Sequence, residues 1–290
     1  MHCSTAKAMP RNPGEFITNV APGEDGVWRP SGQSAVSYPD EGHDSCHSVE
    51  DDSFWFSHRN DCIAAVIKQC PPPKGLPVAD VGGGNGFVAR MIQGLGLRTV
   101  LIEPGEAGIR HARARGITEL VQASLVDLDI VPGALGAVGL FDVIEHIEHD
   151  SDVLGALRPM LAEGGRVYVT VPAYSWLWSS VDTEAGHYRR YTVKQLKALF
   201  RRNGFQIEYC SYYFWPLPVP MFLLRVLPER WGLRKAALPR TKRVQSEHRH
   251  GNAMLKRLLS WETSMLASSR VLFFGASCIL VATKLDMPPP

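Results

Sequence analysis

The stretch Val78-Ala79-Asp80-Val81-Gly82-Gly83-Gly84-Asn85-Gly86-Phe87 constrains the fold more than any other part of this 290-residue chain. Four residues of strand character run directly into glycines, and Phe87, Val88, Met91, Ile92 and Leu95 then recur at helical spacing. A strand, a tight turn and a helix in that order demand a crossover connection. The pattern repeats: apolar runs at 77–81, 99–102, 120–122, 137–141 and 166–171 alternate with helical patterns at 107–115, 151–161 and 193–200. The last of these opens on a Thr192–Gln195 capping box and closes at Gly204. Such alternation predicts parallel pairing through right-handed crossovers, hence an α/β, doubly wound, Rossmann-like sheet that is mostly parallel. Ligands of these sheets sit outside the carboxyl ends of the strands.

The flanks of this core read differently. Residues 1–50 are rich in Gly, Pro, Ser and Asp without a sustained period and are expected to form an irregular arm. Ser53 can cap a helix carrying Phe54, Trp55, Phe56, Ile63, Val66 and Ile67, which stops before three prolines at 71–73 and begins a core spanning 51–215. A further strand is expected at 205–214 and a final one at 278–283, within 271–290. Between them, 216–270 forms a proline-broken apolar segment, a basic stretch and an amphipathic helix with Met254, Leu255, Leu258, Leu259 and Met265 on its apolar side. A connection of that length inside one hairpin is far beyond the usual two to five residues and predicts a helical insertion before the final strand.

Charge is concentrated in that insertion. The chain nets only +2, yet 216–258 holds ten Lys and Arg against Glu229 and Glu247. An apolar run followed by a basic block suits an amphiphilic anionic acceptor or a membrane surface, and equally a helical cap with a solvated basic side. No apolar run reaches the roughly 20 residues of a spanning helix. The six cysteines lack any CxxC spacing, the first residues lack a secretory pattern, and a cytoplasmic protein with reduced thiols is expected.

The glycine loop carries the chemistry. A dinucleotide fingerprint would place glycine at Phe87. Asp80, two residues before Gly82, would repel a pyrophosphate and suit a ligand bearing an ammonium group. Glu103 closes the second apolar run and can accept hydrogen bonds from ribose hydroxyls, the role of an acid about 20 residues beyond such a loop. These features point to a nucleoside without phosphates.

With these residues assembled, the chain resembles the class I S-adenosylmethionine-dependent methyltransferases, in their small-molecule branch. The segment from Asp80 through Gly82, Gly84 and Gly86 is similar to their D-x-G-x-G-x-G motif, and Glu103 to their ribose acid. Phe141-Asp142-Val143-Ile144-Glu145-His146-Ile147 resembles the FDV-x-EHI segment after the fourth strand, and 164–172 the turn and fifth strand. The similarity covers 52–214 and resumes at 275–284. It implies a sheet of seven strands, the last antiparallel, and S-adenosyl-L-methionine as cofactor, with Asp80, Gly82, Gly84, Gly86, Glu103, Phe141 and Asp142 around it. Ser124 stands where the family often has an adenine-contacting acid. Phe54, Trp55, Phe56 and Arg59 resemble a helix lidding the cofactor, with Arg59 placed to pair with the methionine carboxylate.

Methyl transfer from a sulfonium needs alignment of an acceptor and, for a hydroxyl, removal of its proton. His146 is the first candidate base and His187 the second, with Arg189 and Arg190 beside it for an anionic acceptor. Asp142-x-x-Glu145-His146 also resembles the metal-linked E-x-x-E-H arrangement of ubiquinone-pathway O-methyltransferases, although clustered acids and histidines at a helix start are more often caps, and no metal is assigned. His43, Cys46 and His47 are too few for a metal site. Transfer to a small-molecule acceptor, most readily on oxygen, is the leading reading, with no nucleic-acid partner. A nicotinamide-dependent oxidoreductase and a noncatalytic S-adenosylmethionine-binding protein are the alternatives.

Overall fold

The computed structural model describes residues 12–31, 50–51, 53–232 and 253–285. The strands are β1 (Val20–Pro22), β2 (Trp28–Pro30), β3 (Val78–Val81), β4 (Thr99–Ile102), β5 (Leu120–Val121), β6 (Leu135–Phe141), β7 (Leu161–Pro172), β8 (Phe205–Tyr213) and β9 (Ser277–Lys284). They form one sheet in the order β1-β2-β5-β4-β3-β6-β7-β9-β8. Pairing is parallel from β2 through β7, whereas β9 lies antiparallel between β7 and β8. Strands β3, β4 and β6 are buried on both faces, as parallel strands covered by helices must be.

Nine strands replace the expected seven, and the difference comes from the arm. Residues 12–31, expected to be irregular, supply the β1–β2 hairpin, and β2 joins the sheet through a single parallel pairing of Trp28 with Val121. Arg29 donates to Gln122 Oε1 at 2.8 Å, and Phe16 and Ile17 are buried in the main core. Strands of three residues are too short to display a two-residue period, so only the open edge of β5 reveals them.

The covering helices follow the apolar periods. They are α1 (Phe54–Gln69), α2 (Phe87–Gly94), α3 (Glu106–Ala114), α4 (Asp150–Leu157), α5 (Ser180–Ala185) and α6 (Val193–Arg202). Ser53 Oγ accepts from the backbone N–H of Trp55 and Phe56, and Thr192 and Gln195 form the expected reciprocal capping box. Two boundaries shift: α4 ends at Leu157, and β7 begins at Leu161, well before Arg166.

The insertion joins β8 to β9 as α7 (Pro218–Met221), a π-helical turn Phe222–Val226, α8 (Leu227–Arg230) and, farther along, α9 (Ala253–Ala267). Its apolar side follows the expected one in part: Leu259 is buried and Leu255 packs on the core. Leu259 and Leu266 are buried with Glu262 between them, whereas Met254 is 68% exposed, because α9 turns this line toward α1. Glu262 is fully buried and engages three partners. Its Oε1 takes the Phe214 backbone N–H at 2.7 Å and lies 2.6 Å from His58 Nε2, while Oε2 takes the Trp215 N–H at 2.7 Å. Cys62 Sγ sits 3.3 Å from the same His58 nitrogen. Phe214 itself has φ +58 and stacks on Trp55 at 4.0 Å. One carboxylate thus joins the insertion, the end of β8 and α1. Glu262→Ala would strand two backbone donors and an imidazole in the interior, and urea unfolding is expected to show a loss of about 3 kcal/mol or more.

Candidate active site

Parallel pairing brings the ends of β3, β4, β6 and β7 to one edge, and the turns that follow set the site. Gly82 has φ +65, and a Cβ there would lie 2.9 Å from Val143 Cγ2; Gly86 has φ +75, and a Cβ there would lie 2.9 Å from Ala112 Cβ. Side chains at either position would push the loop off the strand ends. The turn is therefore built for close backbone approach.

Glu103, 3% exposed, faces this loop from the end of β4. Its Oε2 accepts the Gly84 N–H at 2.9 Å and its Oε1 the Gly105 N–H at 2.7 Å. Two backbone donors fix the carboxylate, and each oxygen keeps capacity for a further hydroxyl donor. Asp80 lies beneath the loop at 1% exposure, its Oδ2 being 2.9 Å from where a Gly83 Cβ would sit. That oxygen has no hydrogen-bond partner among the described residues. Burial pushes the Asp80 carboxyl up from 3.8 to about 7, opposed by Arg59 and reinforced by Glu103. The repulsion expected of Asp80 toward diphosphates is accordingly confined to pH values at which it has ionised.

Arg59, on α1, is 9% exposed and donates from Nη1 to Asp142 Oδ2 at 2.7 Å. Its guanidinium carbon lies 5.2 Å from the centre of the Phe56 ring, and its buried Nε has no partner among the described residues. Asp142 follows β6 with φ +57; its N–H donates to the Thr170 carbonyl at 2.9 Å, and its Oδ1 accepts from Thr170 Oγ1 at 3.1 Å. A non-glycine residue in this left-handed region is strained by about 1–3 kcal/mol and is held there by its surroundings. Phe141 is buried just before it, and Ser124 is half-buried at the end of β5, its carbonyl accepting the Asp127 N–H.

The second group of candidates lies beyond β6 and β7. His146 and His187 meet edge to face with ring centroids 4.6 Å apart. His187 Nδ1 lies 2.9 Å from Asp182 Oδ1, so the buried carboxylate holds that nitrogen as a donor. Arg190 binds the same carboxylate with Nε at 2.7 Å and Nη2 at 3.0 Å. Burial works against ionisation of Asp182, but the hydrogen bonds from His187 and Arg190 prevail and hold it well below the usual carboxylate range. Glu145 is fully buried beside the imidazoles, and neither carboxylate oxygen has a partner among the described residues. Burial, with the charge of Asp142 adding to it, pushes its proton affinity well up. Glu145, His146 and His187 each offer a ligand atom within 4.8 Å of the others, a set able to hold a cation.

The structure thus brings Arg59, Asp80, Gly82, Gly84, Glu103 and Asp142 together around the glycine turn, and His146 and His187 together beside it. His43, Cys46 and His47 lie outside the described residues, as do the basic positions at 234–249. Sequence reasoning missed Asp182, whose only signal is its place five residues before His187. It also missed Glu50, Asn85 and Arg115: Asn85 donates to Glu50 Oε1 at 3.3 Å and Arg115 to Oε2 at 2.9 Å, fastening the chain before α1 over the glycine turn.

Comparison with known proteins shows the family. The methyltransferase-domain family matches residues 55–209, more than half of the chain, and the chain belongs to that family. The fold is that of the class I S-adenosylmethionine-dependent methyltransferases. A Mycolicibacterium smegmatis protein named as a probable S-adenosylmethionine-dependent methyltransferase is 24% identical over 163 residues, covering 55% of this chain and 62% of that protein. A Nitrosococcus oceani ubiquinone biosynthesis O-methyltransferase is 28% identical over 100 residues, 32% of this chain and 42% of the relative. The chain therefore spans less than two thirds of these curated relatives. Among solved structures, Haemonchus contortus phosphoethanolamine N-methyltransferase 2 with S-adenosyl-L-methionine superposes with TM-score 0.54 at 18% identity, covering 89% of this chain and 61% of that one. A Haloferax volcanii putative methyltransferase, solved with its Trm112 activator, gives 0.54 at 16% identity over 87% and 97%.

The glycine turn, the orphaned Asp80 oxygen and the fixed Glu103 carboxylate fit the nucleoside and cationic parts of S-adenosylmethionine. Glu103→Ala is expected to weaken its binding roughly tenfold to a hundredfold by calorimetry, with the circular-dichroism spectrum unchanged. Asp80 supplies a second test. Native Asp80 keeps its proton to about pH 7, whereas the unfolded chain releases it near 3.8, so the folded state binds more protons in that window. The group accordingly draws stability down as pH rises from 4 to 7, and Asp80→Asn is expected to flatten that slope in denaturant titrations across the window.

Proposed function

We propose that this chain transfers a methyl group from S-adenosylmethionine to the oxygen of a small, amphiphilic or anionic acceptor. The observation that carries the reading is the Asp182–His187–His146 arrangement set beyond the β6 and β7 ends, next to the turn and acids suited to the cofactor. Glu103 would hold the ribose, Arg59 the methionine carboxylate, Asp80 the positively charged end, and Ser124 the adenine through its backbone or hydroxyl. When bound, S-adenosylmethionine supplies an already activated methyl group, so what remains for the protein is alignment and proton removal.

Asp182 fixes the His187 ring through Nδ1, which leaves Nε2 to take the acceptor's hydroxyl proton. Asp182 is a positioning residue in this scheme and His187 the base. His146, edge-on to His187, would orient the acceptor or share the proton. Arg189, tied to Asp150 at 3.1 Å and to the Glu148 carbonyl, and Arg190, held on Asp182, brace the loop that carries His187. The oxygen assignment is supported by the imidazoles and by the likeness to a ubiquinone O-methyltransferase over 100 residues. Site residues offered for a dinucleotide are absent at Phe87, which disfavours a nicotinamide oxidoreductase.

The test is transfer of labelled methyl from S-adenosylmethionine to a panel of phenols and carboxylic acids with and without alkyl tails. Label on an acceptor oxygen supports the reading. Cofactor heat without transfer to any panel member or lipid extract would leave a noncatalytic binder, and heat with NAD alone would overturn the cofactor assignment. His187→Ala is expected to lower kcat by roughly 10²-fold or more with cofactor affinity unchanged. Asp182→Asn should lower kcat more than it raises KM, because it disturbs ring orientation rather than binding.

A further inference from the structure

We infer that the insertion forms a docking surface for an anionic lipid bilayer at the mouth of the candidate site. Among the described residues, most of the exposed large apolar side chains lie on the insertion and the 271–274 turn. Phe273 is 89% exposed, Leu224 71%, Met254 68% and Trp231 67%, with Leu223 and Trp261 about half exposed. They occupy connected elements. Phe222 meets Trp176 edge-on at 5.5 Å, Trp176 stacks with Phe274 at 6.5 Å, and Trp215 meets Trp261 at 5.9 Å. Leu217, Met221, Phe222, Leu255 and Leu272 pack on one core cluster, which ties α7, the π-helical turn, α9 and the 271–274 turn into one body. Trp215, Met254, Arg257, Leu258 and Trp261 line an open groove of about 730 Å³ on it.

Charge decides what covers this surface. Arg230, Lys256, Arg257 and Arg270 are exposed among the apolar groups. The two acids of the same described elements face inward: Glu229 is engaged by the Ser180 N–H at 2.9 Å and hydroxyl at 3.0 Å, and Glu262 is fully buried. A second copy of this face would set these cations against their own equivalents. A bilayer with anionic headgroups instead accepts the Trp and Phe rings at its interface and the Lys and Arg heads among its phosphates. Among the described residues no helix is long and apolar enough to cross a membrane, so the contact is peripheral.

The position of the surface gives it a use. Strand β8 runs parallel to β7, so Phe214 and the insertion leave the sheet at the same edge as Asp142 and the imidazole pair, and Tyr174 and Trp176, just after β7, stack together and meet Phe274 and Phe222 of the insertion side. An amphiphilic acceptor would pass from the bilayer into the site along this side. That last step rests on the methyl-transfer reading; the bilayer contact does not.

The 290-residue chain should be floated with vesicles of phosphatidylcholine alone and with vesicles containing about one-third phosphatidylglycerol, at low and high salt. At least tenfold tighter binding to the anionic vesicles, reversed by salt, is expected. The paired variants Lys256→Gln with Arg257→Gln, and Leu224→Asp with Phe273→Asp, should each weaken it roughly tenfold or more, with thermal unfolding and cofactor heat unchanged. Absent binding, equal binding to both vesicles, unaltered binding by the variants, or a dimer that the Asp variants dissociate would each overturn the proposal. Cofactor heat without vesicle binding removes the docking surface alone, whereas vesicle binding without cofactor heat removes the methyl-transfer reading alone.

Discussion

Carboxylates gathered at one edge of a parallel sheet need a cation, and the buried Arg59 guanidinium is set among them. Asp80 lies one residue before the end of β3 and Asp142 just after the neighbouring β6, and Glu50, Glu103 and Glu145 lie close by. Arg59 acts on Asp80, Glu50 and Glu145 against the effect of their burial, and its ion pair with Asp142 keeps its own charge in place despite its burial. An arginine suits this position because its planar fork can bind one carboxylate and still present nitrogen donors to another group. The helix that carries Arg59 is thereby fixed over the glycine turn, and the turn, the lid and the acids become one assembly.

Strain is spent at the same edge. Asp142, Tyr174 and Phe214, none of them glycine, have φ values of +57, +57 and +58, and each follows a strand, β6, β7 or β8. The chain turns sharply where the strands end and aims each side chain along the edge instead of continuing the ladder. Each turn is held by a distinct partner: Thr170 for Asp142, the Tyr191 carbonyl for the Tyr174 N–H, and Glu262 for the Phe214 N–H. Glu262 is the farthest of these in sequence. It lets the insertion, which lies outside the family-matched residues 55–209, determine how β8 ends and how α1 sits.

Much of the fold was legible because its signals are local. The alternation of apolar runs and helical periods, the Ser53 cap, the Thr192–Gln195 box and the long hairpin insertion all rest on residues within a few positions of one another, and each stands in the structure. The β1–β2 hairpin was not legible, since three-residue strands acquire meaning only from the edge they join. The apolar side of α9 was legible only in part for a related reason: Leu259 is covered as expected, but Met254 is as apolar as Leu266, and only the packing of α1 selects Leu266 over Met254. Asp182, Glu50 and Arg115 escaped notice because an acid or arginine at a loop or helix end looks the same in sequence whether solvated or paired.

The amino-acid sequence by itself determined the doubly wound architecture, the glycine turn and its facing acid Glu103, because these depend on backbone conformations and spacings that few residue types permit. Only the tertiary structure decided which charges meet. Arg59 finds Asp142 across 83 residues and His58 finds Glu262 across 204. Asp80 holds its proton toward neutrality because layers contributed by distant segments shut water out. Electrostatic energy in a protein depends on distance and burial, and neither quantity exists until the chain has closed on itself.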